Sequence, residues 1–161
     1  MTTLNLPKNV LSKEQYKALP SLQKEEYISN ILREILQLNS HGVVISDIDK
    51  STHFGHSTIW QHMMVLSTTG ECLRMERGDT DVYHWNKVIA PFKGFGLKGS
   101  NLGSFYNFDI VENTYGKYLR IRRKRESRAE AHKTRQCLIM PCELIDGLIK
   151  ALNKIKEKMP K

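Results

Sequence analysis

Apolar positions divide this chain into a helical first part and a β-rich second part. From about Ser21 to Leu38, the residues Leu22, Ile28, Ile31, Leu32, Ile35 and Leu36 recur at helical spacing with Lys and Glu between them. That pattern predicts an amphipathic helix, ended by Asn39-Ser-His-Gly42, with Gly42 as a left-handed cap. Ahead of it, Ser12-Lys-Glu-Gln15 has capping-box spacing and predicts a short helix over about 12–18, stopped by Pro20. Downstream, Ser46 caps a second short helix reaching Lys50 or Thr52, and Gly55 bends the turn His53-Phe-Gly-His56. A further helix from about Ser57 turns Ile59, Met63 and Leu66 inward. Two short strands, Cys72 to Glu76 and Asp81 to Trp85, then flank Gly78-Asp79.

Alternation with a period of two begins at Phe105. Tyr106, Phe108 and Ile110 fall on one face of a strand, with Asn107 and Asp109 on the other. Asn113-Thr-Tyr-Gly116 reads as a tight turn. Beyond it, Leu119 and Ile121 alternate with Tyr118, Arg120 and Arg122. The expected hairpin has one apolar face, with Tyr106 in the core, and one face of rings interleaved with guanidinium groups. Residues 124–135 read as a charged loop or long hairpin. A strand is expected over Gln136 to Met140, then Pro141 at a helix start. Leu144, Ile145, Leu148, Ile149, Leu152 and Ile155 form a stripe on the last helix. This stripe is expected to cover the apolar sheet face and leave the Tyr/Arg face open, or to hold a partner subunit.

Residues 91–104, with four Gly, one Pro and two Lys, read as a linker. The expected organisation is a domain over 1–90, this linker, and a basic sheet-plus-helix module over 105–161. Charge follows the same division. Residues 1–90 hold 9 Lys and Arg against 10 Asp and Glu, and residues 91–161 hold 16 against 7. The whole net charge of +8 therefore belongs to the second part, six of its basic residues falling within Arg120 to Arg128. A basic segment of this kind attracts polyanions by releasing their counterions.

Other chemistries find little support. Three Cys (Cys72, Cys137, Cys142) form no disulfide-like framework, and His53, His56 and His62 have no two-residue Cys spacing beside them. No metal site or cofactor is expected. Gly94, Gly96 and Gly99 do not follow the dinucleotide fingerprint, no nucleophile elbow is present, and Asp79 with Asp81 fits a turn tip. The chain is not expected to be an enzyme. No apolar run approaches the ~20 residues that cross a bilayer, and no N-terminal signal pattern is present, so a cytoplasmic location without membrane contact is expected.

Two resemblances enter on these residues. The order helix, short helix, Gly turn, helix and hairpin, with Ser57-Thr-Ile-Trp-Gln-His-Met, resembles a winged helix-turn-helix of the MarR or ArsR type. It implies Ser57, Thr58, Trp60, Gln61 and Met64 as outward positions of a recognition helix, with Arg74 and Arg77 on the wing. That helix has no Lys or Arg, and Asp79 and Asp81 would repel phosphate. Residues 106–121, YNFDIVENTYGKYLRI, resemble the repeat of the Pur-alpha family of purine-rich single-strand binders. The segment from Cys137 to Ile145 is similar to the last strand and helix of the positive-cofactor-four and Whirly group. These likenesses imply single-strand binding with Tyr118 as the first stacking ring and Tyr115 as the second. Lys117, Arg120, Arg122, Arg123, Lys124, Arg125 and Arg128 would meet phosphates.

The expected fold class is α+β: an N-terminal winged helix-turn-helix plus a C-terminal antiparallel sheet packed by a C-terminal helix. The expected function is nucleic-acid binding, as a homodimeric transcription regulator contacting duplex and single-stranded DNA. The alternatives are a protein-interaction adaptor that uses the winged helix, or an RNA-binding protein.

Overall fold

A computed structural model describes residues 4–98, 104–125 and 134–159. Within them the chain is an α+β protein with two antiparallel sheets and a C-terminal helix. It divides into two compact units between Asn86 and Lys87.

The first unit opens with α1 (Lys13–Ala18). Its capping box forms as the sequence predicts: the Ser12 hydroxyl accepts from the Gln15 amide, and the Gln15 side chain accepts from the Ser12 amide. Two donors that a helix start leaves open are thereby satisfied. α2 (Ser21–Leu38) buries Ile28, Ile31, Leu32, Ile35 and Leu36. Leu22 departs from the expected stripe: it lies in the first turn, before the helix meets the core, and is 86% exposed. β1 (Val43–Val44), α3 (Ile45–Ser51), α4 (His56–Thr68), β2 (Cys72–Arg77) and β3 (Thr80–Trp85) follow. β3 is the central strand of a sheet ordered β1-β3-β2. The two-residue β1 is too short to have a period and left no trace in the hydropathy pattern. Around Tyr83, the α2 stripe packs with Ile48, Phe54, Ile59, Met63 and Leu66 into one core. Arg33 of α2 donates to Glu71 at 2.6 Å and joins the helix to the segment before β2.

α2 ends at Leu38 with Asn39 as its C-cap, so Gly42 is not the cap the spacing suggested. Gly42 takes φ +94° in the turn that follows, where its amide donates to the Asn39 carbonyl at 3.0 Å. A Cβ there would lie 2.5 Å from His84 Cε1 and 2.6 Å from Val82 Cγ1, so the site needs glycine for space as well as for its backbone angle. His84 is buried. Burial pushes its pKa below the ordinary value, Arg77 adds to this, and a bond to the Ser40 backbone partly opposes it.

The second unit contains β4 (Lys87–Lys98), β5 (Ser104–Asn113), β6 (Gly116–Arg125) and β7 (Thr134–Pro141), hydrogen-bonded in that order. A 3-10 turn at Cys142–Leu144 leads into α5 (Ile145–Lys158). Asn113 Oδ1 accepts from the Tyr115 amide at 2.8 Å, and Gly116 takes φ +137°, which together fix the β5–β6 turn. The register sets Phe108 opposite Ile121, Asp109 opposite Arg120 and Ile110 opposite Leu119.

Two expectations need correction. Residues 91–98 are part of β4 and not a linker, so the boundary falls at Asn86; residues 99–103 lie outside the described residues. The register of β4 on β5 shifts between Val88 and Ala90 and between Pro91 and Gly96, and an edge strand with bulges accommodates the Pro and Gly that suggested a linker. In addition, α5 buries no residue, so its apolar stripe does not cover the sheet of its own unit as expected.

Gly42→Ala should destabilise the first unit by about 2–4 kcal/mol, from overpacking and backbone strain together. Urea denaturation measures this, and a loss below about 1 kcal/mol would mean that His84 gives way freely. His84 also generates a pH dependence. The fold holds the neutral ring, so its contribution is complete above the ordinary value of 6.5 and is lost as pH falls below it. Unfolding free energy should therefore drop between pH 7.5 and 5.5 more steeply in the native chain than in His84→Gln.

Candidate nucleic-acid interface

Alternation along β6 places Tyr118, Arg120, Arg122 and Lys124 on one face of the four-stranded sheet, opposite Val111, Asp109, Asn107 and Phe105 of β5. This is the face expected to be open. Its centre is closed. Asp109 and Arg120 are each only 3% exposed. Arg120 donates from Nε to Asp109 Oδ1 at 2.6 Å and from Nη2 to Oδ2 at 2.9 Å. Arg122 Nη2 donates to the same Oδ2 at 2.6 Å. Val111 is fully buried beside them. Cys137 lies opposite Arg122 on β7. Burial pushes its thiol pKa up, while Arg120 and Arg122 pull it down.

The expectation that Arg120 meets a phosphate is therefore corrected. Its guanidinium forks onto a carboxylate inside the unit, the strongest geometry available to that pair. Arg122 is one-quarter exposed and shares the same carboxylate. Tyr118 and Lys124 are half-buried, Lys117 is exposed, and Tyr115 stands 40% exposed at the hairpin tip. Arg125 ends β6, and Arg128 lies outside the described residues.

The other face of the sheet has the opposite character. Tyr106, Phe108 and Ile110 of β5 lie beside Leu119, Ile121 and Arg123 of β6 and Gln136, Leu138 and Met140 of β7. None of these is buried, and Leu138 is 55% exposed. Tyr106, Ile121, Arg123, Gln136, Cys137 and Leu138 line a groove of about 420 Å³. Arg123 Nη1 donates to Gln136 Oε1 at 3.3 Å, holding the guanidinium across the β6–β7 pair. A phenol ring, aliphatic floor, guanidinium and amide thus share one concave surface. Such a surface can stack a base, hydrogen-bond its edge and meet a phosphate.

Tyr106, Gln136 and Leu138 were not among the expected contacts, because Tyr106 reads as core on the same alternation as Phe108 and Ile110. One signal pointed to them. Arg123 continues the Leu119 and Ile121 stripe, and an arginine there is incompatible with a closed apolar face.

In the first unit, α4 presents Ser57, Trp60 and Gln61 outward, with Trp60 47% and Val65 59% exposed. Thr58 and Met64 are half-buried, less open than expected. Arg74 pairs with Asp81 at 2.8 Å and lies 3.9 Å from Met64 Sδ. Arg77 is exposed at the end of β2. Comparison with family models, with curated proteins and with solved structures finds no match to this chain.

Arg120→Met leaves Asp109 buried against Arg122 alone and should cost about 3–5 kcal/mol of stability. Adding Asp109→Leu to that variant should recover a substantial part, because the uncompensated charge is removed. Chemical denaturation of the single and double variants checks both; a single variant within about 1 kcal/mol of the native chain would contradict the buried pair.

Proposed function

We propose that this protein binds single-stranded nucleic acid along the half-exposed face of its four-stranded sheet. The observation that supports this most is the groove in which Tyr106 lies with Ile121, Leu138, Arg123 and Gln136. In this reading a base stacks on Tyr106, the aliphatic residues form the floor, and Gln136 meets a base edge. Arg123 neutralises a phosphate, with Lys117 further along the strand. The surplus positive charge of residues 91–161 supplies long-range attraction.

The first unit is read as a winged helix-turn-helix, with α4 as its recognition helix and the β2–β3 hairpin as its wing. The whole is then a transcription regulator that contacts both duplex and melted DNA. A second reading rests on a specific observation: α4 exposes Trp60 and Val65 and has no Lys or Arg. Such a surface suits a protein partner better than a phosphate backbone, which favours an adaptor role for the first unit. In the same reading the protein acts as a homodimer, since Leu144, Ile149, Leu152 and Ile155 of the stripe are exposed in the single chain, with Ile145 and Leu148 half-buried.

Fluorescence anisotropy with a labelled single strand tests the groove. Tyr106→Ala should weaken binding roughly 5- to 150-fold, the range of a lost stacking contact. Arg123→Ala should make the plot of log K against log salt shallower by about 0.7, one single-strand phosphate. Native affinity and slope in both variants would remove this face as the site. Matched DNA and RNA oligonucleotides in the same assay distinguish a DNA regulator from an RNA binder.

A further inference from the structure

We infer that α5 pairs with α5 of a second copy, antiparallel across a two-fold axis, and that this pairing completes the second unit. The inference deepens the homodimer of the reading above, and it rests on observations independent of the groove.

The first observation is an imbalance in burial. Fifteen hydrophobic side chains of the first unit are buried, and across residues 105–124 of β5 and β6, residues 136–141 of β7 and the whole of α5 Val111 is the one buried hydrophobic. Burial of apolar faces is the main term that holds a sheet and a helix together. α5 is 14 residues long and buries none of them. A helix of that length is marginal in water unless its apolar face is covered.

The second observation is the pattern of that face. Ile145, Leu148, Leu152, Ile155 and Met159 are spaced 3, 4, 3 and 4 residues apart. Over two heptads that spacing matches the a/d seam of a left-handed helix pair, which packs by knobs into holes; Ile145 and Leu148 are half-buried and the other three exposed. Leu144 and Ile149 widen it. Leu144, Ile149, Leu152, Ile155 and Met159 are each 51–64% exposed. Their exposed area comes to roughly 500 Å² per copy, or on the order of 1,000 Å² for two, about the threshold of a specific interface.

The third observation is charge polarity, which identifies both the occupant and its direction. Acidic Glu143 and Asp146 lie at the start of the helical segment, and Lys156 and Lys158 in its last turn with Glu157 between them; Lys150 and Lys154 lie mid-helix, two residues to either side of Leu152. Parallel pairing would set Lys beside Lys and acid beside acid. Antiparallel pairing sets the acidic start of each helix against the Lys-rich end of the other and opposes the two macrodipoles. Leu152, midway along the seam, then lies near the axis.

Sedimentation velocity on the full chain, without nucleic acid, tests the pairing. The native chain should dimerise, and its thermal midpoint should rise with protein concentration, as it does when folding and association are linked. Leu152→Glu, at an exposed position, should weaken the dimer at least 100-fold. Lys156→Glu with Lys158→Glu should also weaken it, and adding Glu143→Lys and Asp146→Lys to the same chain should restore it. A native chain that stays monomeric over the whole range would overturn the inference and leave the stripe to a different protein. So would a dimer indifferent to Leu152→Glu, whose contact must lie elsewhere, or charge variants without restoration, which would exclude the antiparallel arrangement. Because no oligonucleotide is present, failure here leaves the Tyr106 groove standing, and failure of the Tyr106 assay leaves the pairing standing.

Discussion

An ionised carboxylate inside a sheet must be answered by positive charge at close range, and Asp109 imposes that condition on the second unit. Two neighbours on β6 answer it: Arg120 with a two-pronged contact, and Arg122 with one further bond. The pairing pins the register of the β5–β6 hairpin, because any one-residue slip would separate Asp109 from Arg120 and leave both charges buried alone. It also removes two arginines from the count of groups available to a polyanion. Among residues 116–124 of β6, Lys117 is exposed at one end and Arg123 and Lys124 are half-buried at the other, so this stretch is less basic toward solvent than its composition suggests.

The helices of the first unit were legible from the sequence because apolar spacing marks them, although not every end was: Ser46, expected to cap α3, lies inside it, and the N-cap is Val44. The Ser12 capping box and the α2 stripe from Ile28 onward lie where spacing put them, whereas Leu22 leaves the stripe and Gly42 takes its positive φ three residues beyond the Asn39 C-cap. The second unit was legible in register but not in which face is open. Alternation assigns residues to two faces without saying which one is covered, and Arg120 looks the same on paper whether it faces solvent or Asp109. The decisive fact was the pairing across the strands, which sequence spacing does not fix. β4 was missed for a different reason. Pro91, Gly94 and Gly96 are breaker residues in a central strand but are tolerated on a bulged edge, and edge position is a tertiary property.

The two units also differ in how they use apolar residues. The first hides its apolar side chains around Tyr83 and exposes few large ones, with Trp60 and Val65 of α4 the main exceptions beside Leu22 and Leu38. In the second, the apolar residues of the groove face are half-buried apart from the exposed Leu138, and Leu144, Ile149, Leu152 and Ile155 along the C-terminal helical segment are exposed. Exposed apolar surface on this scale marks contact surfaces, and the division of labour is consistent: a sheet face with rings and guanidinium beside it, and a helix with a seam.

The open sheet has two edges of unequal character. β4 is interrupted twice by register shifts and contains a proline, so its outer rim is a poor template for another strand. β7 pairs with β6 on one side, is eight residues long, and exposes Leu138. Pro141 limits its rim at one end, and a single register shift against β6, between Arg123 and Lys124, falls near the other. Unwanted growth of the sheet, as in aggregation at high concentration, is therefore directed to a single strand, and a charged side chain at Leu138 would be the most economical gatekeeper.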